Sequence, residues 1–174
     1  MRKELGGMEA LIGILVVAAI IGAIVWNKRN AAAAMAGVEF HVPDSPTGVS
    51  AAINGAFNVG ASAKLRSLVG GIRLSGGGNL FRFESKIGDV GRIELSPNGS
   101  GTTVQAVTDE LYVGSHPMTH SRGRGLWATA SALTHGIYKL IGVTPGAAKM
   151  KRFQLGLEGK IARQLGKATR SSNA

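Results

Sequence analysis

The chain contains no cysteine, which excludes disulfides, thiolate metal sites and a cysteine nucleophile. Aromatic residues make up only 5% of it, too few for a platform on which single-stranded bases stack. Charged residues are also scarce, at 17% against 44% hydrophobic, so wholesale disorder is excluded. The signatures of chemistry are missing too. There is no Gly-x-Ser-x-Gly elbow and no His-Glu-x-x-His zinc helix. The clusters Gly70-Gly71 and Gly76-Gly77-Gly78 match neither a Walker A loop nor a dinucleotide fingerprint, and are expected as hairpin turns and bulges. His116 and His120 lie four apart, but Pro117 between them disfavours a helical ligand pair, and zinc needs three or four convergent ligands. No catalytic residue, metal or cofactor is expected, and the chain is read as a binding protein rather than an enzyme.

What is present is a long apolar run. Ala10 to Trp26 is apolar throughout its 17 residues. With Met8 and Glu9 it would span roughly 28 Å as a helix, close to the ~30 Å hydrocarbon core of a bilayer. Charges flank both ends, and Trp26 stands where an interfacial aromatic belongs. A single transmembrane anchor is expected. Two rivals remain: a signal peptide cleaved near Ala34-Met35-Ala36, and a buried core helix. Arg2 and Lys3 on one side balance Lys28 and Arg29 on the other, so the positive-inside rule ties. A cytoplasmic domain is preferred because a basic tail could there meet anionic lipid or nucleic acid.

The net charge of +10 is concentrated at one end. Residues 121–174 carry ten basic side chains against Glu158 alone. Arg122, Arg124, Lys149, Lys151, Arg152, Lys160, Arg163 and Lys167 are the candidate residues for an anionic surface. On a tethered chain the nearest such surface is anionic lipid, with nucleic acid the rival partner and a merely solvated helix face the plain alternative.

Between anchor and tail the pattern changes to short alternating segments. Val38–Val42 reads as a strand. Asp44 or Ser45 is expected to cap a helix with Pro46 in its first turn and Val49, Ile53, Ala56 and Phe57 on one face. Strands are expected near 67–74, 80–86, 90–95 and 102–113, with a hairpin turn at Asn98-Gly99. Phe81, Phe83, Ile93 and Leu95 should share a buried face, leaving one face of an antiparallel sheet wet. Helices are expected over 126–140 and from Pro145 to about Ala168. In the second, Met150, Phe153, Leu157, Ile161 and Leu165 recur at helical spacing.

The expected fold class is α+β: an N-terminal transmembrane helix plus a small antiparallel sheet packed by C-terminal helices. Its segments are a flank (1–9), the anchor (10–26), a linker or helical continuation (27–37), the domain (38–168) and a disordered tail (169–174). The strand at 38–42, the capped helix behind it, the hairpin at Asn98-Gly99 and the stripe from Met150 to Leu165 together resemble the helix-grip fold of START-like and polyketide-cyclase-like proteins. That resemblance, of element order over residues 38–168, implies a module that binds lipid or another hydrophobic ligand. The alternatives are a structural or interaction protein of the membrane and a nucleic-acid-tethering membrane protein.

Overall fold

A computed structural model of the chain describes residues 2–57, 71–114, 136–137 and 139–172, with the side chains of 2–10 and 167–172 outside that description. The first element, α1, is one unbroken helix of 35 residues, Arg2–Ala36, about 52 Å long at 1.5 Å per residue. It stops at Gly37, whose φ of 75° suits glycine. A side chain there would also strike the Ala106 carbonyl, because the chain turns directly into the sheet.

The sheet has five antiparallel strands in the order β1-β5-β4-β3-β2. They are β1 (Val38–Val42), β2 (Ile72–Gly77), β3 (Leu80–Ser85), β4 (Val90–Asn98) and β5 (Gly101–Glu110). Strands β2 to β5 form a meander of hairpins, and β1 returns beside the last of them. The expected hairpin turn falls at Gly99-Ser100, with Gly99 at φ 60°. The middle strands alternate as the sequence implies. Phe81, Phe83, Ile93, Leu95, Val104 and Ala106 are buried, while Arg82, Glu84 and Gln105 point to the open face. The β4–β5 register shifts at a bulge between Val90 and Gly91, and Gly91 leaves room for the Phe83 ring against it.

Helix α2 (Pro46–Phe57) begins at Ser45, whose Oγ accepts the Gly48 N–H at 3.1 Å. It lays Val49, Ile53 and Phe57 on the buried sheet face. The C-terminal stripe is carried by two helices rather than one, α3 (Ala147–Leu155) and α4 (Leu157–Ser172), separated at Gly156. Gly156 lacks a side chain to pack and interrupts the helix, yet the stripe crosses the break: Met150, Phe153, Leu157 and Ile161 are all buried. α4 runs on through Ser172, so the tail expected from residue 169 starts as helix; no proline or glycine stands between Lys167 and Ser172 to stop it. Phe153 anchors the two layers to each other, its ring 4.8 Å from that of Phe83 and 5.5 Å from that of Phe57. The architecture is thus α+β, with the C-terminal helices packed on one face of the antiparallel sheet. Of the helix expected over 126–140, only its end lies within the described residues. Positions 136–137 and 139–141 are helical.

Candidate functional site

Residues 27–36 of α1 were expected as a linker or a continuation of the anchor. They continue the helix, and one side of them is built into the domain. The docked side is made by Asn27, Asn30 and Ala34, at spacings of three and four that bring them to one helix face. Asn27 is bonded in both directions to the backbone of Thr144. Its Nδ2 donates to the Thr144 carbonyl and its Oδ1 accepts the Thr144 N–H, each at 2.9 Å. The Thr144 hydroxyl also donates to Oδ1 at 3.0 Å. One turn on, Asn30 Oδ1 accepts from Lys151 Nζ at 3.3 Å. One turn further, the buried Gln154 donates from Nε2 to the Ala34 carbonyl at 2.9 Å and to Thr108 Oγ1 at 3.0 Å. That amide ties α1, α3 and β5 together, and it caps a carbonyl that the end of α1 would otherwise leave unpaired. Asn30 Nδ2 and Gln154 Oε1 are buried at this contact without a hydrogen-bond partner.

Beside this contact the start of α3 rests on a buried carboxylate. Asp89 accepts the Ser85 hydroxyl at 2.7 Å and the Tyr112 N–H at 2.8 Å. A side chain at Gly146 would overlap the Asp89 carboxylate, which places it against the N-terminus of α3. The positive end of the helix dipole favours an anion there. Lys149 lies close by, and burial lowers its pKa from the ordinary lysine value. Asp89 opposes that shift and Lys86 adds to it.

The candidate anionic-surface residues have several fates. Lys151 bonds to the stem of α1. Lys160 sits over the Phe57 and Phe153 rings, 4.7 and 5.7 Å from their centroids. Lys149 stands beside Asp89. Arg163 donates to the Gly159 carbonyl at 3.2 Å within its own helix. Arg152 is exposed on α3. Arg122 and Arg124 lie outside the described residues, as does the side chain of Lys167. Four of the eight therefore have a partner within the protein, while Lys149, Arg152, Lys160 and Arg163 are exposed on α3 and α4.

On the open sheet face, Arg82 stands directly opposite Arg92. Arg92 pairs with both Glu94 and Asp109, so the like-charge contact is offset locally. A shallow groove crosses this face between Leu80, Arg82, Val90 and Asp109. Among the described residues, no group of three His, Asp or Glu side chains is placed to hold a metal ion. The residues that sequence reasoning missed are Asn27, Asn30, Gln154 and Asp89. Only Gln154 carried a signal, as a polar side chain among the apolar positions Met150, Phe153 and Leu157; Asn27, Asn30 and Asp89 carried none.

No protein-family model matches this chain, and no curated protein matches it. Among the described residues, one helical stretch, Leu11–Ala36, is long and apolar enough to cross a membrane, with a mean hydropathy of 2.2 over an 18-residue window.

Proposed function

We propose that this is a single-pass membrane protein whose α+β domain is held rigidly at the bilayer surface and acts by binding other molecules there, not by catalysis. The observation that carries this is the continuity of α1. Its first part exposes Leu11, Ile14, Leu15, Val17, Ile20 and Ile21 all round the helix, and its last ten residues are bonded into the domain. A helix apolar on every side has no wet face and calls for a nonpolar surrounding. The signal-peptide alternative fits less well. Ala34 of the Ala-x-Ala site is fully buried and its carbonyl is bonded to Gln154, so cleavage after Ala36 would remove a packed part of the domain.

Among binding roles, a structural or interaction module of the membrane is favoured over a carrier with an interior ligand. The resemblance to the helix-grip fold is supported by β1 lying beside the last strand. An enclosed ligand, however, would need space between sheet and helices where the Phe83 and Phe153 rings touch. Binding is then left to surfaces, and the basic end of the chain favours an anionic one.

The test is fractionation combined with ligand analysis. Full-length protein should remain with membranes through carbonate extraction and should keep its N-terminal segment. Protein purified in detergent and extracted with organic solvent should yield no stoichiometric apolar ligand beyond bulk lipid. A mature N-terminus at Gly37 would remove the anchor, and one tightly held lipid per chain would restore the carrier role.

A further inference from the structure

The docked stem fixes which end of the domain faces the bilayer. Asn27 follows Trp26, the last residue of the apolar run, and it holds Thr144 at 2.9 Å. Val143 in turn accepts the Gly114 N–H at 2.9 Å. Three segments therefore meet at the level where α1 leaves its apolar half: the start of the stem, residues 141–144 and residues 113–114. The apolar side chains here are unusually open. Leu140 is 91% exposed, Ile137 57% and Val113 42%. Leu140 is four residues from Thr144, at most ~14 Å of chain. Ile137 and Leu140 are three apart in a helical segment and fall on one face. The segment ends at Gly142, at φ 69°, where the chain turns toward Asn27. Lys28, Arg29 and Lys139 are exposed around the same level.

Apolar side chains in a basic surround are what an element lying in a membrane interface presents. An uncovered leucine facing water forfeits the free-energy gain of burial that lipid would supply.

We propose that Leu140 and Ile137, with Val113 beside them, insert into the leaflet that Trp26 reaches, giving the domain a second, peripheral contact with the bilayer next to α1. This rests on α1 spanning the membrane. The occupant of the patch is lipid, because the Asn27–Thr144 bonds bring the patch alongside the end of the span. With two contacts the domain cannot swing freely about α1. Its open sheet face and the β4–β5 turn then keep a fixed bearing relative to the membrane plane.

The absence of cysteine makes the test clean, since one introduced thiol is the only one to label. Full-length Leu140→Cys, Ile14→Cys and Ser100→Cys would each carry an environment-sensitive fluorophore. Each would be reconstituted in nanodiscs of phosphatidylcholine and phosphatidylglycerol, which leave both membrane faces open to solutes. Quenching by nitroxide lipid labelled near the headgroup would be compared with quenching by aqueous iodide. Ser100 lies in the β4–β5 turn, eight residues along β5 from Thr108, or about 27 Å at 3.4 Å per residue.

The Leu140 label should be quenched by the lipid nitroxide and be several-fold less sensitive to iodide than the Ser100 label. The Ile14 label should be shielded from iodide altogether. A label at Val113, read with and without Leu140→Glu, guards against the dye drawing itself into lipid. Its lipid quenching should fall at least twofold in the Glu background. If Leu140 behaves like Ser100 while Ile14 stays in lipid, the peripheral contact is wrong and the span survives. If Leu140 is shielded from both quenchers, protein covers the patch and the lipid assignment is overturned. If Ile14 is open to iodide, the span itself fails and this inference with it.

Discussion

The two parts of α1 are built to opposite rules within one continuous helix. Residues 11–26 are apolar on every side and exposed almost throughout. Residues 27–36 are mostly polar residues and alanine, yet Asn30 and Ala34 among them are buried. Hydrophobicity therefore misleads about burial here. The apolar part is left uncovered by the rest of the chain, though it is long and apolar enough to cross a membrane. The polar part is buried because most of what it brings inward meets a partner, at Thr144 or on α3, with Asn30 Nδ2 the exception. Alanine allows this second arrangement by letting the helix backbone come close to the sheet, so that one glutamine side chain bridges the Ala34 carbonyl and Thr108.

The largest effect should come from breaking the first part. Val16→Arg with Val17→Arg places two cations in mid-span, each costing about 2.5–3.5 kcal/mol on insertion. The double variant should lose its carbonate-resistant membrane fraction, and its retention there would show that the helix is not a span. Next is the core on which the stem and the C-terminal helices rest. Phe153→Ala removes contacts to both Phe83 and Phe57 and should destabilise the domain by about 3–5 kcal/mol. Thermal unfolding of the full chain in mild detergent reads this out. A loss below ~0.5 kcal/mol would mean that the two layers are not held together here.

A matched pair then sharpens the contrast within α1. Ala34→Leu inserts three carbons at a fully buried position and should cost about 1–3 kcal/mol. Ala18→Leu makes the same change where the helix is exposed and should leave the unfolding midpoint unchanged. Equal effects at the two positions would abolish the distinction between the halves.

The sequence makes one part of this architecture easy to read and hides another. Alternation at Phe81-Arg82-Phe83 and at Arg92-Ile93-Glu94-Leu95 identifies the buried sheet face, because side chains change sides at every residue of a strand. The stripe from Met150 to Ile161 likewise marks the helix face that packs on it. The break at Gly156 does not show, since the apolar spacing continues across it and glycine also occurs within helices. The stem is least legible. Asn-Lys-Arg-Asn followed by alanines has no apolar periodicity, so its buried face is defined only by partners more than 100 residues away. Asp89 is hidden for the same reason: it looks like a loop acid until α3 is placed against it. Of the candidate surface cations, composition shows that the C-terminal end is basic but not that Lys151 and Lys160 are turned to partners inside the domain.

The smallest effect expected is at the junction of the two parts, and it decides whether they move as one body. Asn27→Ala removes three hydrogen bonds to Thr144 at once, yet the loss should be only about 1 kcal/mol. Asn27 is half-buried, so water can reach the freed Thr144 groups and recover part of the bonding. For a chain of this size that is a shift of roughly 2–4 °C in the unfolding midpoint. The more telling readout is orientation. Spin labels on Ser100→Cys and Val25→Cys, on opposite sides of the junction, should give a narrow distance distribution in the otherwise unaltered chain. Asn27→Ala should broaden it without unfolding the domain. Asn27→Asp should broaden it further, because a carboxylate still accepts the Thr144 N–H but repels the Thr144 carbonyl. A distribution already broad before substitution would show that the helix bends at residue 27, and that anchor and domain are not rigidly joined.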